Sequence, residues 1–296
     1  MRVFVTGATG FIGSAIVQDL IGAGHQVLGL ARSDASADAL TQLGVEAHRG
    51  DLADLDSLVA GVRACDGVIH TAFVHDFSQY MANIETDRRA VEAMTGALEG
   101  SGKPMTIASG TLMVRADRLA TELDAPPSPD APRAASEVMV LAPGRGIRGS
   151  IVRLPPTVHG AGDHGFMSWM INAAREKGVS PYVGDGESRW PAVHRLDAAR
   201  VFRLAAERAE PGTRLHAVAE EGVRMRAIAE TIGAGLGVPV RSITPEEAPA
   251  HFGFLGMFVG ADNPTSSALT RNALDWSPQG PDLLTDLRDS GYFSVH

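Results

Sequence analysis

The chain has 296 residues, of which 44% are hydrophobic and 21% are charged, a composition typical of a globular protein and not of a disordered one. Its 26 Lys and Arg against 35 Asp and Glu give a formal net charge of -9, which disfavours nucleic acid as a partner because few cations are available to neutralise phosphodiesters. The lone Cys65 excludes an internal disulfide, and no Cys/His spacing is typical of a metal site. We therefore expect a cytoplasmic protein without a leader peptide, a membrane span or a bound metal.

The first two-thirds of the chain alternate β-branched apolar runs with segments of helical periodicity. The predicted strands are residues 3–5, 27–30, 45–48, 68–71, 105–108 and 150–154, and the predicted helices follow Gly10 and cover 34–43, 54–64 and 80–98. This alternation is typical of βαβ units. It predicts an α/β protein built on a doubly wound parallel sheet of the Rossmann type.

The pattern changes in two places after the fifth predicted strand. Four prolines in residues 124–132 exclude regular structure there, so the next helix is expected only near Arg133. From about Gly160 the periodicity loosens into mixed helices and short strands such as 215–219. We expect a dinucleotide-binding domain over residues 1–160. Residues 161–296 should form a smaller substrate-binding region, with some segments returning to the Rossmann core.

Three glycines follow the first predicted strand and open its helix. Gly7 allows a tight turn, Gly10 lets the backbone approach a pyrophosphate, and Gly13 permits close packing of helix on strand. The helix start also presents free amides at the positive end of its dipole. The predicted contacts to a dinucleotide come from Gly7, Thr9, Gly10, Phe11, Ile12 and Gly13.

The end of the second predicted strand indicates which dinucleotide is preferred. An NAD(H) site needs a carboxylate here to bind the ribose hydroxyls, but the chain continues Ala31-Arg32-Ser33. Arg32 and Ser33 are suited to a 2′-phosphate, since a guanidinium binds phosphate well and no acid occupies this position to repel it. The sequence favours NADP(H) over NAD(H).

Further motifs resemble those of the extended short-chain dehydrogenases/reductases, and of NAD-dependent epimerase/dehydratase-like proteins in particular. The motifs are the glycine segment 6–13, Gly50-Asp51-Leu52, His70-Thr71-Ala72, and segments 107–111, 152–160 and 190–197. The resemblance implies that Asp51 and Leu52 hold the adenine. It also implies further cofactor contacts along the groove and at the nicotinamide carboxamide, from Thr71, Ala72, Phe73, Pro155, Pro156 and Thr157.

The family that this sequence resembles reduces carbonyls with a tyrosine, which acts as the acid, and a lysine four residues after it. The tyrosines here are Tyr80, Tyr182 and Tyr292, and the residues four places on are Ile84, Gly186 and His296. No Tyr-x-x-x-Lys pair therefore occurs in the sequence.

Two alignments of the helix start near Arg133 remain open. One places Arg133 at the family's lysine and Pro129 at its tyrosine, and the other places Arg133 at the tyrosine and Glu137 at the lysine. We prefer the first, because it keeps a cation where the ribose hydroxyls need one.

The proton donor must then be another residue or a bound water molecule. The family's catalytic Ser or Thr aligns near Gly110, between Ser109 and Thr111. A histidine is the best replacement acid near neutral pH. His75 and His159 follow predicted strands and are expected at the carboxyl edge of the sheet.

The leading hypothesis is an NADP(H)-dependent oxidoreductase of atypical short-chain type, acting on a small or medium carbonyl or alcohol as a monomer or homodimer. A rival is a non-catalytic NADP(H)-binding sensor or scaffold, which the missing tyrosine favours. A sugar-nucleotide epimerase or dehydratase is a weaker alternative, because that chemistry ordinarily uses the same tyrosine.

Overall fold

The computed structural model describes residues 1–74, 79–114, 117–128 and 133–294. The strands among them are β1 (Arg2–Thr6), β2 (Gln26–Ala31), β3 (Glu46–Arg49), β4 (Gly67–His70), β5 (Pro104–Gly110), β6 (Arg148–Leu154), β7 (Thr157–His159), β8 (Ser180–Val183), β9 (Arg189–His194), β10 (Thr213–His216), β11 (Glu220–Arg224) and β12 (Val240–Ile243). The helices are α1 (Phe11–Gly22), α2 (Asp34–Gln42), α3 (Leu55–Arg63), α4 (Tyr80–Leu98), α5 (Ala134–Leu141), α6 (Phe166–Lys177), α7 (Arg195–Arg208), α8 (Met225–Leu236), α9 (Ala248–Phe252), α10 (Ala268–Leu274) and α11 (Leu283–Asp289).

A central sheet of seven strands has the order β10-β6-β5-β4-β1-β2-β3. Every neighbouring pair in it is parallel. The chain reverses its direction of progress across the sheet between β1 and β4, which are neighbours. The predicted doubly wound parallel sheet is confirmed.

Helices cover both faces of this sheet, as the alternation of side chains in β1 requires. Val3 and Val5 point into a core that includes the buried faces of α1 and α7. Phe4 points the other way, into a core shared with α3, α4 and α5. A third hydrophobic cluster is built from residues of the C-terminal part, including Trp190 and Ile228.

The predicted elements of the N-terminal half agree closely with the observed ones, and the predicted helix over 80–98 has the same bounds as α4. The glycine-rich segment 233–237 ends a helix, because Gly237 adopts a left-handed φ of +67° after α8. The apolar run 252–258 is not one helix, since α9 ends at Phe252 and Gly253, at φ +59°, begins a 3-10 turn.

The C-terminal half returns to the central sheet at two points. β10 adds to the edge of the sheet beside β6, and α7 packs along α1. β7 leaves the central sheet and pairs with β9 in a separate sheet of order β11-β9-β7. Among the described helices, none combines the length and apolar character that crossing a membrane requires.

Candidate functional site

The carboxyl ends of β1 and β4 mark the place where a doubly wound sheet binds its ligands. Thr6 and His70 are opposite each other in the register of these strands. The turn Gly7 to Gly10 leads from β1 into α1, and Thr71 follows β4 at the same edge. The groove between these two connections is the candidate nucleotide site.

The glycines of the first turn are required by its geometry. Gly7 has a left-handed φ of +71°, and a Cβ placed on it would lie 2.7 Å from the Ala72 nitrogen. A Cβ on Gly13 would lie 1.9 Å from the Gly7 carbonyl oxygen, so only glycine lets α1 approach the turn this closely. α1 begins after Gly10, which has no side chain to cap the helix, and its first amides are available to an anion. The tight turn and the uncapped start of α1 together are suited to bind an anion such as a diphosphate.

Cations and hydroxyls follow β2 and β3, where the adenosine ribose of a dinucleotide is expected. Among the described residues, no hydrogen bond or ion pair engages the exposed Arg32 side chain. Ser33 caps α2 by accepting a hydrogen bond from the Ser36 nitrogen at 3.2 Å. Arg49 lies opposite Ala31 in the register of β2 and β3, so a second guanidinium reaches this edge. Its charge is paired with exposed Asp34 at 2.7 Å.

The residues expected around the adenine lie in the turn after β3. Asp51 accepts a hydrogen bond from the Ala53 nitrogen at 2.9 Å, which fixes this turn, and Leu52 is buried. Thr71 donates its hydroxyl to the Thr6 carbonyl at 2.9 Å, so it holds the β4 connection against β1. The turn after β3 and the connection after β4 therefore both lie at the carboxyl edge of the central sheet.

A buried chain of polar side chains runs beneath the groove. His70 Nδ1 lies 2.7 Å from Thr6 Oγ1, and His70 Nε2 lies 3.1 Å from the Asp87 carboxylate. The Ser136 hydroxyl donates to the other Asp87 oxygen at 3.0 Å. Thr6 Oγ1 also accepts from the Ala72 nitrogen at 3.4 Å. The chain thus connects β1, β4, α4 and α5 through side chains alone.

Arg133 stands at the start of α5 with a left-handed φ of +67°, an unusual conformation for a residue other than glycine. Its guanidinium carbon lies 4.2 Å above the ring of Phe73, and its Nη2 donates to the Ala108 carbonyl at 3.4 Å. The ring of Tyr80 packs edge-on against Phe73 at 6.4 Å. Two residues predicted to line the cofactor groove, Phe73 and Arg133, are therefore in contact.

The candidate hydroxyls at the end of β5 differ in their surroundings. Ser109 is only 7% exposed, and within the described part of the chain its Oγ has no hydrogen-bond partner. Thr111 is fully buried and donates to Asn263 Oδ1 at 2.8 Å, while Asn263 Nδ2 donates back to the Thr111 carbonyl at 3.3 Å. Ser109 thus has an unused hydroxyl, and Thr111 does not.

The segment after β6 carries the three residues expected at the nicotinamide. Pro155 is buried, Pro156 is partly exposed, and the Thr157 hydroxyl donates to the Pro191 carbonyl. Thr157 therefore joins β7 to β9, and Pro156 is the most accessible of the three.

His159 does not lie at the edge of the central sheet, contrary to the expected placement. It ends β7 in the three-stranded sheet, is fully buried, and its Nδ1 lies 2.7 Å from Asp286 Oδ2. Burial lowers the pKa of His159, although the hydrogen bond and charge of Asp286 act in the opposite direction. These contacts disfavour direct access of a substrate to this histidine.

The other tyrosines lie on the C-terminal part of the fold. The Tyr292 hydroxyl accepts from the Gly160 nitrogen at 2.9 Å and donates to Asp163 Oδ2 at 3.0 Å. Burial, together with the Asp163 charge, raises the pKa of this phenol well above its usual range. Tyr182 packs against the Arg226 guanidinium at 4.9 Å. Neither contacts the described groove residues, so Tyr80 is the tyrosine placed beside the groove.

A buried ion pair fixes α5 to the central sheet. Arg153, in β6, donates to both carboxylate oxygens of Glu137 at 3.0 and 2.7 Å, and both side chains are almost completely buried. Arg153 also donates to the Asp124 carbonyl at 2.8 Å. The pair therefore ties the helix that begins after Arg133 to β6. It gives Glu137 a structural partner rather than a place in the groove.

Two positions used in the sequence analysis, His75 and Pro129, lie outside the described residues. Among the described residues, no group of three or more His, Cys, Asp or Glu side chains is arranged to hold a metal ion.

Asp87 is not among the residues predicted from the sequence, although a signal for it is present. Asp87 occupies the same buried stripe of α4 as Ala90, Val91 and Met94, which lie at helical spacing. An acid on the apolar face of a helix requires a buried partner. Nothing local in the sequence identifies His70 as that partner.

The chain is similar to known proteins in both family and fold. The model of the NAD dependent epimerase/dehydratase family matches residues 3–218. An uncharacterized protein of Schizosaccharomyces pombe is 51% identical over 295 residues, covering 99% of this chain and 100% of the relative. The 2-alkyl-3-oxoalkanoate reductase of Stenotrophomonas maltophilia is 28% identical over 258 residues. The match covers 81% of this chain and 77% of the reductase. A double mutant of the dTDP-glucose 4,6-dehydratase DesIV from Streptomyces venezuelae, solved with NAD bound, has a TM-score of 0.78 at 20% identity, covering 99% and 96% of the two chains.

Proposed function

Since the chain belongs to the NAD dependent epimerase/dehydratase family, we propose that it is an NADP(H)-dependent oxidoreductase acting on a small or medium carbonyl or alcohol. The observation that carries the proposal is the turn after β1. Gly7 and Gly13 let the β4 connection and α1 pack closely against this turn, and α1 begins there with amides that no side chain caps. Such a helix start favours a diphosphate.

The choice of NADP(H) rests on the groups after β2. The exposed Arg32 has no partner among the described residues, and Arg49 brings a second guanidinium to the same edge. Guanidinium groups bind phosphate through paired, charge-assisted hydrogen bonds. Asp34, the next acid along the chain after Arg32, is already paired with Arg49. We infer that Arg32 contacts the 2′-phosphate and that Ser33 adds a hydroxyl beside it.

Along the rest of the groove, Asp51 and Leu52 are proposed to hold the adenine. Thr71, Ala72, Phe73 and the segment 155–157 are proposed to line the path to the nicotinamide, and Arg133 to bind the ribose hydroxyls. NADP(H), when bound, supplies or accepts the hydride.

The protein must still orient the substrate oxygen and move a proton. Ser109 is the best placed of the candidates, because its hydroxyl is buried at the carboxyl edge of β5 and free of partners among the described residues. Thr111 and His159 are already hydrogen bonded and fully buried. Tyr80 is a further phenol beside the groove, and His75 stays a prediction.

A reductase is favoured over the rival functions by two observations. An unpartnered buried hydroxyl, such as that of Ser109, costs folding free energy and is expected where a bound ligand supplies the missing hydrogen-bond partner. In addition, one relative, of which this chain covers 77%, is named a 2-alkyl-3-oxoalkanoate reductase. A ketone or aldehyde is accordingly the substrate class to test first.

Fluorescence titration with NADPH and NADH, followed by turnover assays on a panel of ketones and aldehydes, tests the proposal. We expect NADPH to bind more tightly than NADH and at least one carbonyl class to be reduced. Ser109→Ala should lower turnover about a hundredfold with unchanged NADPH affinity. Ser150→Ala, which removes a buried hydroxyl near the amino end of β6, is the matched control. NADPH binding without turnover of any carbonyl would favour the sensor or scaffold, and absence of nucleotide binding would refute the proposal.

A further inference from the structure

Asp87 is a buried acid in the middle of the surface that faces α5 and the central sheet. It is 4% exposed, and α4 presents it in line with apolar side chains. Burying a carboxylate is costly unless its oxygens are hydrogen bonded and its charge is balanced. The contacts of Asp87 show how this is done.

Both carboxylate oxygens of Asp87 are used. His70 Nε2 is the donor to Oδ1, because a carboxylate can only accept, and Ser136 donates to Oδ2. Burial raises the pKa of the Asp87 carboxyl, but the hydrogen bond and charge of His70, the charge of Arg133 and the Ser136 hydroxyl together lower it below its ordinary value. Asp87 is therefore a buried carboxylate with one hydrogen-bond donor on each of its oxygens.

The charge lies beside a helix start that has no cap of its own. α5 begins after Arg133, whose side chain makes no capping hydrogen bond, and Ser136 is in its first turn. A negative charge near the amino end of a helix stabilises that end through the helix dipole. The hydrogen bond from Ser136 brings the Asp87 carboxylate to this position from α4.

Arg133, the residue before α5, has few strong contacts of its own. Its hydrogen bond to Ala108 is 3.4 Å long, and the Phe73 ring supplies only a cation–π contact. Within the described residues, no carboxylate forms a salt bridge with this guanidinium. The structural link from Asp87 to Arg133 is Ser136, which lies in the first turn of α5, three residues after Arg133.

We propose that Asp87 is a positioning residue, whose buried carboxylate holds the start of α5, and with it the Arg133 guanidinium, against the groove for NADP(H). The proposal rests on the proposed function, in which Arg133 contacts the cofactor. His70 extends the arrangement to Thr6, which accepts from the Ala72 nitrogen next to Gly7. The removal of one buried charge should therefore disturb the site without removing any group that touches the ligand.

A double-mutant cycle on NADPH affinity tests the connection in the full-length protein. Asp87→Asn should weaken binding by roughly tenfold, as is usual for coupled charged residues. Arg133→Met should weaken it at least as much. Because Asp87 is proposed to act through Arg133, the double variant should bind within about twofold of Arg133→Met. Losses that multiply, or an Asp87→Asn variant that binds NADPH like the parent, would overturn the proposal.

Phenylglyoxal labelling of arginines, read by peptide mass spectrometry without cofactor, separates this proposal from the proposed function. In Asp87→Asn we expect severalfold faster labelling of Arg133, released from its half-buried position, while exposed Arg32 serves as an internal reference. Asp197→Asn is the matched control, since it alters another buried acid, which accepts from the Gln279 and Gly280 nitrogens. It should leave Arg133 labelling unchanged.

The two experiments fail in different ways. If the parent protein does not bind NADPH, the proposed function falls, and the labelling alone decides the role of Asp87. If Asp87→Asn does not fold, Ser136→Ala replaces it in both experiments, because it removes one hydrogen bond and keeps the charge. It should accelerate Arg133 labelling in the same direction by a smaller factor. Equal labelling rates in the parent and the variants would refute the positioning role.

Discussion

Replacement of Arg32 by alanine is the most direct test of cofactor preference. Arg32 is exposed, so its interaction with a 2′-phosphate is partly screened by water and by salt. A charge-assisted hydrogen bond is worth about 1.5–3 kcal/mol. Because Arg32 is exposed, we expect a loss of binding free energy in the lower half of this range, about 2 kcal/mol. This corresponds to roughly a thirtyfold increase in the Kd for NADPH.

NADH lacks the 2′-phosphate, so its Kd should change by less than about twofold in Arg32→Ala. The measurement is fluorescence titration of both nucleotides with the parent and variant at one fixed salt concentration, and again at higher salt. The NADPH loss should shrink as salt rises, because the lost interaction is electrostatic. Arg63→Ala is the matched control, since Arg63 is also exposed but ends α3 at the opposite edge of the sheet.

Equal losses for NADPH and NADH would refute the reasoning, because they would mean that Arg32 supports the fold of the site or contacts a part shared by both nucleotides. Unchanged affinity for both nucleotides would mean that another residue binds the 2′-phosphate. Arg49 would then be the next residue to test, although its pairing with Asp34 already satisfies its charge.

Three further predictions concern the glycine turn after β1 and buried charged groups elsewhere in the fold. Gly13→Ala should abolish NADPH binding and lower the melting temperature, because the added Cβ would lie 1.9 Å from the Gly7 carbonyl oxygen; unchanged binding would contradict the close approach. Arg153→Met should lower the free energy of unfolding in urea by about 3–5 kcal/mol, since it leaves the Glu137 carboxylate buried and unpaired; a loss below about 1 kcal/mol would show that the pair is not buried in solution. Burial raises the pKa of the Asp163 carboxyl above its ordinary 3.8, so its contribution to stability is complete below that pH and declines as the pH rises through the raised pKa. Asp163→Asn should therefore gain stability relative to the parent as the pH rises above about 4, measured as melting temperature against pH, and a constant difference would refute the shift.

The local sequence determined the strands, the helices and the glycine-rich turn between β1 and α1. The apolar run of β1, the glycines after it and the periodicity of α1 specify a strand, a tight turn and a helix within a few residues of each other. Alternating segments of this kind can pack only as a parallel sheet with helices on both faces. The fold class and the family could therefore be predicted from patterns that span fewer than about twenty residues each.

The tertiary structure alone decided which polar side chains are partners. His159 was a candidate acid because it follows a strand, but Asp286, 127 residues away, holds it in a separate sheet. Thr111 was a candidate hydroxyl, but it donates its hydrogen bond to Asn263, 152 residues away. Hydrophobic periodicity reports only which face of an element is buried, whereas hydrogen bonds between distant segments depend on how those faces meet in space. For this reason the sequence could identify the groove, and only the packed structure could show which side chains remain available within it.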